Sequence, residues 1–464
     1  MKKAFIFFVV CFTLFALGIS NSSFADGAAA VSMVDLMQEI NSLKMRVADL
    51  EGQVSEQKKS VKNFNLGNDH QKTDVKKTHA KKGRGYTFNI PGVPASFKVG
   101  ANMTGIVQGA PNAKLIDQDV SGVVGGSYQS NVTLTSEFYN IDGRAFANLR
   151  VGQGRGVMDQ MTLYSNVDNN AWLDDQFSLS EMWYEQDLFD GKAKITVGKL
   201  DPTDYLDKND YADSDSTQFL GVMFNNSPCI DFPANAGAVR VLLSPLEWMD
   251  INYVALAGNS NLTDLQKNLF HSGEVHFKPE INGRKGNYRF LGWFNNDDYT
   301  RWDDPSKTKV YSYGVSFSAD QQITDNFGVF AKVGWKDPEA YNPDYDVANS
   351  LNPFPVPGAT TFTVESMWST GFQLQGNLWG REHDFAGLAI GQVLPSMDMK
   401  GANQGSQDAR DAKNETHFEA YYNWHVNKAF AVTPGVQLIW DGYGGDSGGK
   451  DVMAVFSLRT HVDF

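Results

Sequence analysis

Cysteine is almost missing from this 464-residue chain, which has two. Cys11 sits inside an N-terminal apolar run, AFIFFVVCFTLFALGI, with no lipid-attachment pattern around it. That leaves Cys229 alone downstream, so no internal disulfide staples the fold. Proline is sparse as well, at 16 residues against 43 glycines and 12% aromatics, a composition that favours strands separated by many turns. After the first apolar run, no stretch is apolar enough to cross a bilayer as a helix. The mean hydropathy of −0.36 suits a water-soluble protein, but equally a membrane barrel in which only alternate residues face lipid. Catalytic signatures are absent too: the eight histidines come with no G-x-S-x-G, HExxH or CxxC pattern. No enzyme, cofactor, metal site or nucleic-acid partner is therefore expected.

What is present begins with a label. Lys2 and Lys3 precede the apolar run, and the small-x-small site SFA ends at Ala25. This predicts a secretory signal peptide over residues 1–25, with an uncleaved anchor helix as the alternative. Residues 26–57 carry a heptad, with Met33, Ile40, Val47 and Val54 at a and Leu36, Leu43 and Leu50 at d. A seam of about three heptads is marginal alone, so it predicts an oligomerising coiled-coil stalk; packing on the rest of its own chain is the alternative. β-Branched a positions with Leu at d lean toward dimers, a weak preference that a trimeric neighbour overrides. Residues 58–85 are polar, basic and aperiodic, and read as a flexible linker. The linker is either a solvated tether or an electrostatic attachment to an anionic polymer such as peptidoglycan, or to lipid headgroups. The whole chain carries a formal charge of −14, so the region beyond this basic segment is more acidic still.

From residue 86 to 464 one theme repeats. SFKVGANMTGIV sets Phe97, Val99, Ala101 and Met103 against Lys98, Gly100, Asn102 and Thr104. VYSYGVSFSAD sets Tyr311, Tyr313, Val315 and Phe317 against serines and glycine, and ETHFEAYYNWHV sets Phe418, Ala420, Tyr422 and Trp424 against His417, Glu419, Tyr421 and Asn423. GFQLQGNLWG sets Phe372, Leu374 and Leu378 against Gln373, Gln375 and Asn377. Runs of about ten alternating residues are the pattern of a transmembrane β-barrel, and a soluble sandwich does not normally extend this far as one domain. The expected fold is an all-β barrel of about 16 antiparallel strands, preceded by the short α-helical coiled coil. Polar stretches near 201–236, 336–363 and 395–414 are candidate surface loops, and turns such as DLFDGK belong to the periplasmic end. FSLRTHVDF, the final nine residues, is then the closing strand, with Phe464 at the membrane interface as an assembly signal.

Three separated blocks, LSEMWYEQDLFDGKAKITVGKLDPTDYLDKNDYA, REHDFAGLAIGQ and ETHFEAYYNWHVNKAFAVTPGVQLI, resemble the carbohydrate-selective porins of the OprB type. The resemblance implies a sixteen-stranded outer-membrane channel that passes sugars by diffusion, with its stalk in the periplasm. The coiled coil followed by FNIPGVPASFKVG resembles stalked trimeric porins of the DcaP type, which implies a homotrimer and a channel for small organic anions such as dicarboxylates. A tether from outer membrane to cell wall is a third reading.

Inward parity nominates pore-lining residues: Arg144, Asn148, Arg150, Glu181, Arg240, Gln373, Gln375, His417, Glu419 and Arg459. Opposed arginines and carboxylates can donate to and accept from sugar hydroxyls, and a lumenal aromatic such as Trp183 or Trp293 can stack on a sugar ring. The alternative is that these charges pair across the wall and stiffen it. Asp201, Asp204 and Asp207 open the acidic stretch after a strong strand. By resemblance to porins they belong to a loop folded inward as a constriction; the alternative is a water-exposed loop. The stretch lacks the DxDxDG calcium pattern.

Overall fold

The computed structural model describes residues 85–115, 118–161, 163–170, 176–257, 268–304, 306–309, 311–341, 364–401, 412–445 and 452–464. The signal peptide, stalk and linker expected from the sequence lie outside these residues.

The strands, in chain order, begin with β1 (Gly85–Asn89), β2 (Ala95–Leu115), β3 (Gln118–Phe138), β4 (Gly143–Gln153), β5 (Ser178–Leu188), β6 (Ala193–Leu200) and β7 (Ala236–Leu246). They continue with β8 (Met249–Ala257), β9 (Leu269–Phe277), β10 (Glu280–Ile281), β11 (Arg284–Asn295), β12 (Tyr299–Arg301), β13 (Thr308–Lys309), β14 (Ser312–Thr324) and β15 (Phe327–Lys336). The last are β16 (Ala340–Tyr341), β17 (Val364–Gln375), β18 (Phe385–Pro395), β19 (Glu415–His425), β20 (Phe430–Trp440) and β21 (Met453–Asp463). Setting aside β1, β10, β12, β13 and β16, sixteen of these 21 strands form one closed antiparallel ring. β21 closes it on β2, in a register running from Asn102 opposite Asp463 to Gly109 opposite Phe456. Closure leaves no edge strand to satisfy in lipid.

Alternation dictates the two faces. Val99, Met103, Val107, Val197, Val239, Phe290, Val315, Phe456 and Leu458 are exposed on the outside, where a soluble protein would carry polar groups and a membrane barrel meets lipid. Their neighbours along each strand point inward and are largely polar. The run GFQLQGNLWG departs from the expectation. β17 ends at Gln375, and residues 376–379 form a 3₁₀ turn, so Leu378 and Asn377 do not continue the alternation. The strand β1 is also an addition: GYTFN pairs antiparallel with residues 96–100 of β2.

The two ends of the barrel differ. Residues 139–142, 189–192, 247–248, 325–326 and 426–429 are tight turns at one end. The opposite end carries the longer connections that follow β4, β6, β15 and β18. Short turns are periplasmic and long loops extracellular in such barrels, so both ends of the ring's chain path, Ala95 and Asp463, lie on the periplasmic side. The hydrophobic clusters of the interior are not a solid core. They form where residues 154–170 and 201–235 fold inward onto the wall, for example Phe219 against Phe330, Tyr421 and Phe224.

Candidate pore and its inward loops

Residues 201–235 leave β6 and cross the lumen instead of standing above it. The turn starts with Asp201, whose carboxylate accepts from the Thr203 N–H at 3.0 Å and caps the 3₁₀ turn at residues 202–204. Burial is the largest cause holding the Asp201 carboxyl above its usual range, with neighbouring Asp204 adding to it. Further along, the segment meets wall charges on the far side. The Glu419 carboxylate accepts from the backbone N–H groups of Leu220 and Gly221 at 2.7 and 2.8 Å. The Arg459 guanidinium donates to the carbonyls of Asp215 and Gln218, both at 2.7 Å. Gln373 accepts from the Tyr421 hydroxyl and lies 3.4 Å from the Gln218 amide nitrogen.

A second loop, absent from the sequence expectation, straps the first. Residues 163–170 bind the wall through Glu415, which accepts from the N–H groups of Tyr164, Ser165 and Tyr443 at 2.8–2.9 Å. His417 contacts the same carboxylate at 2.7 Å. The two loops then join by backbone bonds, Asn169 N–H to the Leu220 carbonyl and Val222 N–H to the Asn166 carbonyl. The strap leaves β4 directly over β3: a Cβ on Gly125 would stand 1.9 Å from the Gly156 carbonyl oxygen. Only glycine allows the two backbones to approach this closely.

These contacts divide the nominated residues. Gln373, His417, Glu419 and Arg459 have the inward parity expected of them, yet each is buried beneath the loops. Charged side chains there hold backbone polar groups that would otherwise be buried without partners. Asp207 is likewise turned away from water, at 1% exposure. Trp293 is buried too, donating its indole N–H to the Cys229 carbonyl at 2.9 Å. Gln375 stands half-buried at the short-turn end.

The wall of β2 to β6 remains open. Arg144 keeps 32% of its side chain exposed while its Nη2 lies 3.1 Å from Glu185 Oε1. Arg240, buried, places Nη1 3.3 Å from Glu185 Oε2, and Thr196 donates to the same oxygen at 3.0 Å. Between these charges stands an aromatic shelf. Phe146 stacks on Trp183 at 5.1 Å between centroids, and Tyr205 meets Trp183 edge-on at 6.5 Å. The guanidinium carbons of Arg144 and Arg240 lie 5.1 Å and 4.5 Å from the Trp183 and Tyr205 ring centroids. On the extracellular side of the shelf, Asn131 accepts from Arg150 Nε and Asn148 Nδ2, and donates to Asn102 Oδ1. Glu181, buried, accepts from the Trp183 indole at 3.4 Å. Asp204 follows on the inward loop, one residue before Tyr205. Nothing in this grouping arranges a nucleophile with a base. Among the described residues no cluster of His, Cys, Asp or Glu is arranged to hold a metal ion. The grouping offers an aromatic face bordered by donors and acceptors, along a wall whose Arg144, Phe146 and Arg150 are partly exposed.

Sequence reasoning missed Asn131 as the partner of Arg150, Asn102 as the acceptor for Asn131, and Tyr205 as part of the shelf. Asn102 was visible as inward parity on SFKVGANMTGIV. Tyr205 left no signal, because a loop residue has no parity.

The family model described as carbohydrate-selective porin, OprB family, matches residues 125–464. No match was found among curated protein sequences. Among solved structures, the high-pH form of Pseudomonas putida OprB is similar with a TM-score of 0.64 at 17% identity, over 79% of this chain and 94% of that one. The outer-membrane channel DcaP of Acinetobacter baumannii matches with a TM-score of 0.48 at 12% identity, over 81% of this chain and 99% of that one. At these identities the structural likeness concerns the fold.

Proposed function

The chain belongs to the carbohydrate-selective porin family, OprB, and from that premise we propose a route for the sugar. The protein is a bacterial outer-membrane channel for carbohydrates. Sugars pass along the open wall, with the apolar face of the ring against Phe146 and Tyr205 and the hydroxyls exchanging among Arg144, Asn131 and Arg150. The observation that carries this reading is the aromatic shelf, bordered on one side by the Arg144–Glu185–Arg240 group and on the other by the asparagine ladder. Ring stacking and single hydrogen bonds are each weak, and a diffusive channel needs contacts that are repeated and readily released. Maltose-dependent block of single-channel current in planar bilayers tests it: block that survives Phe146→Ala with Tyr205→Ala removes the shelf from the route.

One observation favours a second reading. Three basic side chains on this wall, Arg144, Arg150 and Lys98, are half-buried while Glu181 and Glu185 are buried; the acids that stay open, Glu137 and Asp187, lie toward the short-turn end. Small dicarboxylates would be drawn to such a surface. Liposome swelling with glucose, maltose and dicarboxylates of similar size, together with reversal potentials in a salt gradient, separates the readings. Faster dicarboxylate uptake with clear anion selectivity supports the second.

For assembly, the heptad from Met33 to Val54 supports an oligomer, and its attachment to a porin-family barrel favours a trimer over the dimer that the heptad alone prefers. A periplasmic stalk over residues 26–57 holds it, with the basic linker at 58–85 as the segment facing peptidoglycan. Deleting residues 26–84 is expected to leave barrels that insert but dissociate more readily. Cross-linking that yields only monomers from the full-length protein overturns the trimer.

A further inference from the structure

The shelf is completed by Tyr205, which sits on an inward loop, whereas Trp183 and Phe146 sit on the wall. Its distance from Trp183 is therefore set by whatever fixes that loop. Two residues after Tyr205 the chain turns at Asp207, a non-glycine residue at φ 55°. Every polar group of Asp207 but one carboxylate oxygen is engaged. The Asp207 N–H donates to Glu274 Oε2 at 3.1 Å, and Asp207 Oδ2 accepts from the Ser227 N–H at 2.8 Å. The centre of the knot is Lys332, with 0% of its side chain exposed. Its ammonium donates to the Asp207 carbonyl at 3.1 Å and to the Asn225 carbonyl at 2.7 Å, and lies 3.3 Å from Asp207 Oδ2. One buried cation thus binds the loop's descending arm at Asp207 and its returning arm at Asn225.

Lys332 stands far from the shelf. From β5, which carries Trp183, the ring passes β6, β7, β8, β9, β11 and β14 before reaching β15 and Lys332, seven staves around a ring of sixteen. We propose that Lys332 is a positioning residue for sugar passage, setting from across the lumen the separation between Tyr205 and Trp183. An ammonium in this place has three acceptors and no solvent exposure. Removing it takes the counter-charge from a carboxylate whose Oδ2 then keeps only the Ser227 N–H, and leaves two carbonyls short of a donor in a buried site; the turn at Asp207 relieves that by moving toward water. Tyr205 moves with it and the shelf opens. Glu274 holds the Asp207 N–H to the wall and the Ser227 N–H joins the Asp207 carboxylate to the returning arm, but neither supplies the Asp207 and Asn225 carbonyls with a donor, nor the carboxylate with a counter-charge.

This inference rests on the sugar route proposed above, so the experiment separates the two. Maltose block and open-channel conductance are measured in planar bilayers for the wild type and Lys332→Met, alongside the thermal midpoint of the folded barrel. The expected result is a folded variant with higher and noisier conductance and a maltose half-saturation raised at least tenfold. Absence of maltose block in the wild type overturns the route itself. Wild-type block with an unchanged half-saturation in Lys332→Met overturns the positioning role, even if the thermal midpoint falls. Should Lys332→Met fail to insert, the paired variant Asp207→Asn/Lys332→Met removes both charges together and is held to the same half-saturation criterion.

Discussion

Arg144 and Arg240 grip the same carboxylate from opposite surroundings, and truncating each in turn decides whether the inward charges serve passage or merely stiffen the wall. The Arg144 side chain is 32% exposed and that of Arg240 9%. Arg144→Ala removes a partly solvated ion pair worth about 0–1 kcal/mol, and Glu185 keeps Arg240 and Thr196. The barrel's thermal midpoint should hardly move. The same change deletes a donor from the open wall and the cation beside Trp183. A lost hydrogen bond costs about 0.5–1.5 kcal/mol, which weakens maltose half-saturation roughly threefold to tenfold. Arg240→Ala is the reverse case. Breaking a buried pair costs about 3–5 kcal/mol, here near the lower end because Arg144 and Thr196 still serve Glu185. Its midpoint should fall clearly, and the Tyr205 ring loses the guanidinium 4.5 Å away. The assays are maltose titration of single-channel current and the temperature at which the heat-modifiable band shifts. If Arg144→Ala destabilised the barrel as much as Arg240→Ala while leaving half-saturation unchanged, the wall-stiffening account would replace this one.

Glu419→Gln leaves one of the two loop N–H groups without its acceptor, at a cost of about 1–3 kcal/mol; protease sensitivity of residues 215–223 should rise with the barrel still inserted. Gly125→Ala should lift the strap off β3 because of the 1.9 Å contact with the Gly156 carbonyl, read as a conductance change larger than any change in thermal midpoint. Phe464→Ala should reduce assembly yield under stress more than alanine at any of the preceding three positions, measured as the folded fraction in outer-membrane extracts; normal yield would remove the assembly-signal reading.

The wall was legible and the lumen was not, for a physical reason. A strand announces its faces by a period of two, so Phe97, Val315 and Trp424 could be placed outside and Glu419 and Arg459 inside from spacing alone. Parity says which way a side chain points but not what it meets. Glu419 and Arg459 meet loop backbone instead of water, because residues 215–221 reach them from some two hundred positions away in sequence. The loops have no period to read. The strap was hidden further by its composition: LYSNVDNN, residues 163–170, mixes apolar and polar residues as a buried, irregular segment must. Gly154 and Gly156, both at positive φ, were the available clue that the chain turns sharply off β4. β1 went unnoticed because GYTFN borders the basic linker and offers only one turn of alternation.

β1 has a consequence for how the ring can close. It lies on the same edge of β2 as β21, with Gly85 opposite Gly100, and the Phe464 N–H bonds to the Ala101 carbonyl at 2.8 Å. The last strand therefore ends where β1 begins, and the two share one lane. A closing strand sliding by two residues would keep every side chain on its proper face, so alternation imposes no penalty on that error. A slide toward the short-turn end is nevertheless forbidden, because the backbone groups of residues 96–100 are already taken. β1 acts as a doorstop: it belongs to a local hairpin that can form before the distant C-terminal strand arrives, and it fixes the one stopping point that hydrophobicity alone would leave undecided.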